Sequence, residues 1–450
     1  MPILPLISII IFTKSRDLYF DTKTTIPTNQ IVKITLLMTA ISIGITFPRL
    51  ITYVSKRKIL INLKIHQYLP NLAFILFVFL PNILSEFHLE LPAKSIYKFL
   101  RVSYLYPPFA DLRTIIYGIK CDAVSQVGNL ITCDLRNASP VACNYPSVLL
   151  KLRSISFLFE NIPWVVILIS IFLAISIQFL SFNQTLNQNL LMTSIILSPP
   201  FLLCFGRLNF DLFIVWIIWI GILFLESKKV IIKYLAFVLF LIAGLLKFYG
   251  FAAFISIFKN FNLKKFFIGI AIFMIGFNLI QVDLSHLENA VGKDIYGSIG
   301  FPVVAALLNG LPRANLNLFS YGSIFIVFYI GLYVRLIILK ENIRIKTDGN
   351  ILIQLVFGST FLFTWFSSSN YYYRLLLLTP ILLFMIKYRT SFFEKMVISS
   401  TYFSFFLSPK VFGPLQNFFL LPMICYLIAQ LLVISRYETT KVIKKIFDPA

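Results

Sequence analysis

The sequence predicts an all-α protein, a polytopic transmembrane helical bundle of about 11–13 membrane segments with one folded loop outside it. Three observations predict this. The 450 residues are 58% hydrophobic with a mean hydropathy of +0.86, whereas soluble domains sit near 45–50% apolar. Apolar runs of about 18 residues recur and are continuous, unlike the alternating segments of a membrane barrel. The net charge of +22 is carried by bases clustered between those runs, the pattern of anchors facing anionic lipid. A nucleic-acid partner, which would need a basic face on one domain, is not expected.

The N-terminus opens with MPILPLISIIIF, followed by Lys14, Arg16 and Lys23. That run is too short to span. Residues 31–54 are long enough, but Lys33, Pro48 and Arg49 interrupt them, and no clean signal-peptide cleavage site appears. Residues 1–68 form a region whose topology stays open. Beyond it, spans are expected near 69–84, 162–181, 189–205, 210–225, 230–246, 248–258, 266–282, 318–339, 350–366, 371–387, 396–409 and 414–434. The 248–258 piece is too short to cross. It reads as a broken helix or a re-entrant hairpin with 230–246, an arrangement tolerated where backbone lines a cavity.

Orientation follows from the bases. One set of connections holds Lys56, Arg57, Lys58, Lys64, Lys228, Lys229, Lys233, Lys259, Lys264, Lys265, Arg335, Lys340, Arg344, Lys346, Lys387, Arg389 and Lys395, and the tail 436–450 adds Arg436, Lys441, Lys444 and Lys445. This excess places that set in the cytoplasm. The alternate connections, including loops 85–151 and 281–320, then face the exoplasm or lumen. The division is thus 1–68, a transmembrane domain over 69–435, and a basic cytoplasmic tail over 436–450.

Loop 85–151 is the long polar segment of the chain. It holds Cys121, Cys133 and Cys143, three of the five cysteines, and the aspartates Asp111, Asp122 and Asp134. Its Tyr, Pro and Cys content indicates a folded loop, and its side of the membrane is one where disulfides persist. Two of the three cysteines are expected to bridge, closing a loop of about 10–22 residues worth about 3 kcal/mol, with the third free. Cys204 and Cys425 lie in apolar spans and read as inert core residues. Asn137-Ala138-Ser139 is a glycosylation triplet of a kind common by chance.

Four polar groups sit where outer ends of spans should meet: GRLNFD with Arg207, Asn209 and Asp211; GLLKFYGF with Lys247 and Tyr249; loop 281–320 with Asp283, His286, Glu288, Lys293, Asp294 and Arg313; and SSSNYYYRLLLLTP with Asn370, Tyr371, Tyr372, Tyr373 and Arg374. An ionisable residue at membrane depth costs roughly 2.5–3.5 kcal/mol and is a functional hypothesis by default. Taken singly, Arg207 or Arg374 could equally be snorkelling to interfacial water. Basic residues from separate segments converging on one side would make an anion site.

An acidic residue in the first large outer loop, then NYPSVLL, RLNFD between two spans, LLKFYG at a span end and an outer Asn-Tyr-Arg before an apolar run ending in Pro380 resemble the GT-C superfamily of integral membrane glycosyltransferases. The pattern is most similar to the branch containing polyprenyl-phosphate-mannose-dependent mannosyltransferases, where Arg-x-Asn-x-Asp and Lys-x-Tyr-Pro recur. It covers roughly residues 72–383, and Gly250 stands where that branch usually has Pro. The resemblance implies a sugar donor on a polyprenyl phosphate and a glycan, lipid or protein acceptor. It implies Asp111 as catalytic base, with Asp122 and Asp134 as runners-up whose positions after cysteines also suit turns. It further implies Arg207, Lys247 and Arg374 at the donor phosphate, and Asn209, Asp211, Tyr249, Asn370 and Tyr372 as substrate-binding residues. The location implied is the plasma (inner) membrane of a prokaryote or the endoplasmic reticulum of a eukaryote.

No Walker loop and no dinucleotide-type glycine motif is present, and His66, His88 and His286 are scattered without metal spacing. No cofactor is therefore expected, although a carboxylate at Asp111 could take a divalent cation. Two alternatives remain: a transporter or flippase for lipid-linked saccharides, whose charges would sit at span centres and whose halves would repeat, and a polysaccharide polymerase or ligase, which would also use outer arginines.

Overall fold

The computed structural model describes residues 65–86, 89–99, 108–113, 162–182, 184–258, 263–290, 298–309, 321–340, 350–367, 370–388, 391–407 and 416–447. Cys121, Cys133, Cys143, Asp122 and Asp134 lie outside them. The described chain is all-helical apart from one pair of two-residue strands. It begins with α1 (Leu69–Ala73), which continues through a π-helical stretch, Phe74–Phe79, into α2 (Leu80–Glu86). Loop 85–151 contributes α3 (Leu91–Phe99).

Then follow α4 (Ile162–Phe182), α5 (Leu186–Ile196), α6 (Pro199–Arg207), α7 (Asp211–Glu226) and α8 (Val230–Leu246). The expected span 189–205 is thus two helices bent by 55°. Thr185 and Gln188 form a capping box that starts α5, and Pro199 and Pro200 start α6 where their missing N–H groups cost nothing. Residues 248–258 form a 3₁₀ helix that folds back along α8.

The C-terminal half holds α9 (Leu263–Ala290), β1 (Ser298–Ile299), α10 (Phe301–Leu308), α11 (Tyr321–Lys340), α12 (Asn350–Ser367), β2 (Asn370–Tyr371), a 3₁₀ helix at Tyr372–Leu378, α13 (Thr379–Tyr388), α14 (Phe392–Phe406) and α15 (Gln416–Phe447). One expectation is corrected here: the span 371–387 is half 3₁₀ and half α. Residues 281–320 include the end of α9 and the buried helix α10. Residues 436–447 are the last turns of α15.

Two of the described helical stretches, Val165–Phe182 and Gln416–Arg436, are long and apolar enough to cross a membrane, and a third if the bent pair α5–α6 is one span. The other apolar helices are shorter. Phe237, Phe240, Phe357, Phe361 and Trp365 lie in one contiguous buried cluster. α7 packs along α8, and the 3₁₀ helix 248–258 contacts both α8 and α12. The strands pair antiparallel, with Ser298 opposite Tyr371 and Ile299 opposite Asn370. That pairing holds Ser298–Ile299 against the start of the segment that carries Arg374.

Candidate functional site

Among the described residues, only Phe109 and Leu208 are non-glycine residues with positive φ, at 61° and 47°. A left-handed conformation costs such residues roughly 1–2 kcal/mol and persists only where surrounding contacts impose it. Leu208 ends α6: its N–H donates to Phe205 O at 2.8 Å, and the N–H of Asn209 donates to Cys204 O at 2.9 Å. This turn brings Arg207 and Asn209 to the start of α7. Phe109 donates its N–H to Gly206 O at 2.7 Å, which docks the segment carrying Asp111 onto the same turn.

The side chains then form one connected network. Arg207 Nε lies 3.0 Å from both Asp111 carboxylate oxygens, and Arg207 Nη2 lies 2.6 Å from Oδ1. Asn209 Nδ2 donates to Asp111 Oδ2 and, at 2.9 Å, to the Tyr373 hydroxyl. Asn209 Oδ1 accepts from Lys247 Nζ at 2.9 Å and from the Asp211 N–H at 3.0 Å. Lys247 Nζ is also 2.8 Å from Asp211 Oδ1. Arg374 Nε is 3.5 Å from Asp211 Oδ2, and its guanidinium carbon lies 5.0 Å from the centroid of the Tyr249 ring. Cation–π contact of this kind suits the flat guanidinium.

Exposure sorts the network. The side chains of Arg207 and Arg374 are 25% and 19% exposed, while those of their partners Asp111 and Asp211 are 9% and 1% exposed. The arginines are therefore the accessible members and the carboxylates the enclosed ones. Among the described residues of the network, Arg207, Lys247 and Arg374 lie with the carboxylates of Asp111 and Asp211. Burying ion pairs is a poor route to stability, because desolvation offsets the Coulombic gain. An ionisable cluster of this kind in an apolar bundle is a functional-site hypothesis by default.

The structure thus brings together Asp111, Arg207, Asn209, Asp211, Lys247, Tyr249 and Arg374. Asn209 and Asp211, expected to touch substrate, are buried at 2% and 1% exposure and bonded to their neighbours. Asn370 lies in the strand pair opposite Ile299. Tyr372 is buried, and the network's tyrosine hydroxyl belongs to Tyr373. Three adjacent tyrosines offered no signal for which one reaches Asn209; Tyr372 and Tyr373 are both buried, and it is the Tyr373 hydroxyl that meets the amide.

Gly250, where proline was the expectation of the resemblance, donates its N–H to Lys247 O at 2.9 Å, a bond a proline could not make. A Cβ there would overlap the Ala243 backbone. Cys204 and Cys425 are buried free thiols. Among the described residues no group of three or more His, Cys, Asp and Glu is placed to hold a metal. In comparisons with known proteins, no family model, no curated protein and no solved structure matches the chain.

Proposed function

We propose that this chain is a multi-pass membrane glycosyltransferase of the GT-C kind, moving a sugar from a polyprenyl-phosphate-linked donor to an acceptor hydroxyl at the exoplasmic face. The observation that carries this is the network itself: partly exposed Arg207 pairs with Asp111, and Asn209 links that pair to Lys247, Asp211 and partly exposed Arg374. In the proposed reaction the acceptor oxygen attacks the anomeric carbon. The bond from that carbon to the phosphate oxygen breaks, and its electron pair leaves on the lipid phosphate. The hydroxyl proton passes to Asp111. Arg207, Lys247 and Arg374 stabilise the charge that develops on the leaving phosphate, in an apolar setting where fixed charges act strongly.

Asp111 is engaged by Arg207 and Asn209. An incoming phosphate competes for Arg207 and frees one carboxylate oxygen to accept the proton. Binding of the donor thereby readies the base.

The test is transfer from a synthetic radiolabelled polyprenyl-phosphate sugar by the purified protein in liposomes. Asp111→Asn keeps the volume and removes the base, so transfer should fall about 10²–10⁴-fold with expression intact. Near wild-type transfer by Asp111→Asn would move the base to Asp122 or Asp134. Movement of the labelled lipid between leaflets with no glycosidic product would make the protein a flippase and end the enzymatic proposal.

A further inference from the structure

Asn209 sits at the centre of the network without touching its exterior. Its two amide ends face opposite chemistries. The oxygen accepts from two groups that can only donate, Lys247 Nζ at 2.9 Å and the Asp211 N–H at 3.0 Å. The amide is therefore oriented, and its NH₂ must point at Asp111 and Tyr373. The residue before it, Leu208, is held in the left-handed region, which fixes the backbone as firmly as the side chain. At 2% exposure, Asn209 has no room to meet a sugar.

We propose that Asn209 is a positioning residue that aims the Asp111 carboxylate and ties it to the cations of the phosphate half. This rests on the assignment of Asp111 as the base. Through one amide, the group that takes the proton and the lysine at the leaving phosphate are kept in register, so that each is placed when the other is. Lys247 also neutralises Asp211, so any shift of Lys247 toward phosphate is felt at the Asn209 oxygen and, through the amide, at Asp111.

The experiment compares wild type, Asp111→Asn, Asn209→Asp and Tyr373→Phe for transfer from the same polyprenyl-phosphate sugar across a pH series. Among the described residues, the charged and titratable groups near Asp111 are Arg207, the Cys204 thiol and, through Asn209, Lys247, Asp211 and Tyr373. Asn209→Asp sets a second carboxylate against Asp111. Like charge favours the protonated form of one of the pair, so the acidic limb of the profile should move to higher pH. Turnover at neutral pH should fall about tenfold or more, while the donor KM changes little.

Tyr373→Phe removes one acceptor of the amide and should lower turnover in the same direction with donor KM unchanged. Should Asn209→Asp fail to fold, Tyr373→Phe decides alone: wild-type turnover in it overturns the proposal. An Asn209 that contacts the donor would instead raise donor KM and leave the pH limb in place, which also overturns it. If Asp111→Asn is inactive and Asn209→Asp keeps the wild-type limb, only the role of Asn209 falls. If wild type itself transfers nothing, the glycosyltransferase proposal falls and this one with it.

Discussion

Phe109 donates its backbone N–H to the carbonyl of Gly206 at 2.7 Å, and this single bond joins two chain segments that must meet for Asp111 to face Arg207. Both segments carry a residue in the left-handed region, Phe109 on one side and Leu208 on the other. Strain of this kind concentrates at functional sites, where surrounding contacts hold a geometry the local sequence would not choose.

Gly206 also permits the close approach of α3 to α6. A Cβ on it would overlap the Tyr97 hydroxyl, which lies 2.8 Å from Leu202 O and 3.1 Å from Asn82 Oδ1. Tyr97 is buried and cannot step aside cheaply. Gly206→Ala should destabilise the protein by about 1–3 kcal/mol, read as a lower thermal midpoint in detergent. Adding Tyr97→Phe removes the overlapping oxygen and should restore part of the loss. A Gly206→Ala protein as stable as wild type would show that the approach of α3 to α6 is looser than described.

Arg374 should act through its shape as well as its charge. Its guanidinium stacks over Tyr249 and reaches Asp211, and a planar fork grips phosphate with two bonds where an ammonium offers a point charge. Arg374→Lys should raise the apparent donor KM about tenfold, and Arg374→Ala should raise it further. Donor titration of both variants checks this. Equal donor affinity in wild type and Arg374→Lys would leave Arg374 as an interfacial anchor only.

Under the proposed mechanism, the engagement of Asp111 by Arg207 and Asn209 predicts an order of binding. Donor should precede acceptor, because Asp111 would stay covered until phosphate drew Arg207 away. Product-inhibition kinetics should give the pattern of a compulsory-order mechanism with the lipid-linked sugar first. Acceptor binding of equal strength with and without donor would contradict it.

The arrangement of bases along the chain predicts an orientation that labelling can check. A single cysteine at position 95, an exposed site on α3, should react with an impermeant maleimide in intact cells. One at position 447, at the end of α15, should react only after permeabilisation. Labelling of position 447 in intact cells would invert the proposed topology.

The sequence alone determined where much of the helix lies. The expected span 230–246 coincides with α8, and 162–181 and 350–366 each fall one residue short of α4 and α12. These boundaries are legible because hydropathy is a property of consecutive residues. The break at Leu197–Ser198 was also written locally, in the Ser-Pro-Pro that restarts a helix, but an apolar run concealed it.

The polar groups of the site were legible for a related reason: a charge in an apolar run stands out against its neighbours. Their mutual placement was not. Asp111 and Arg207 are 96 residues apart in sequence, and no local pattern encodes a distance between them. Only the tertiary structure decided that Tyr373 rather than Tyr372 joins the network: both are buried, and which hydroxyl meets Asn209 depends on how distant segments pack. The inward turn of Asn209 likewise needs Leu208 in a conformation that its own side chain disfavours, and only contacts from elsewhere in the fold can impose it.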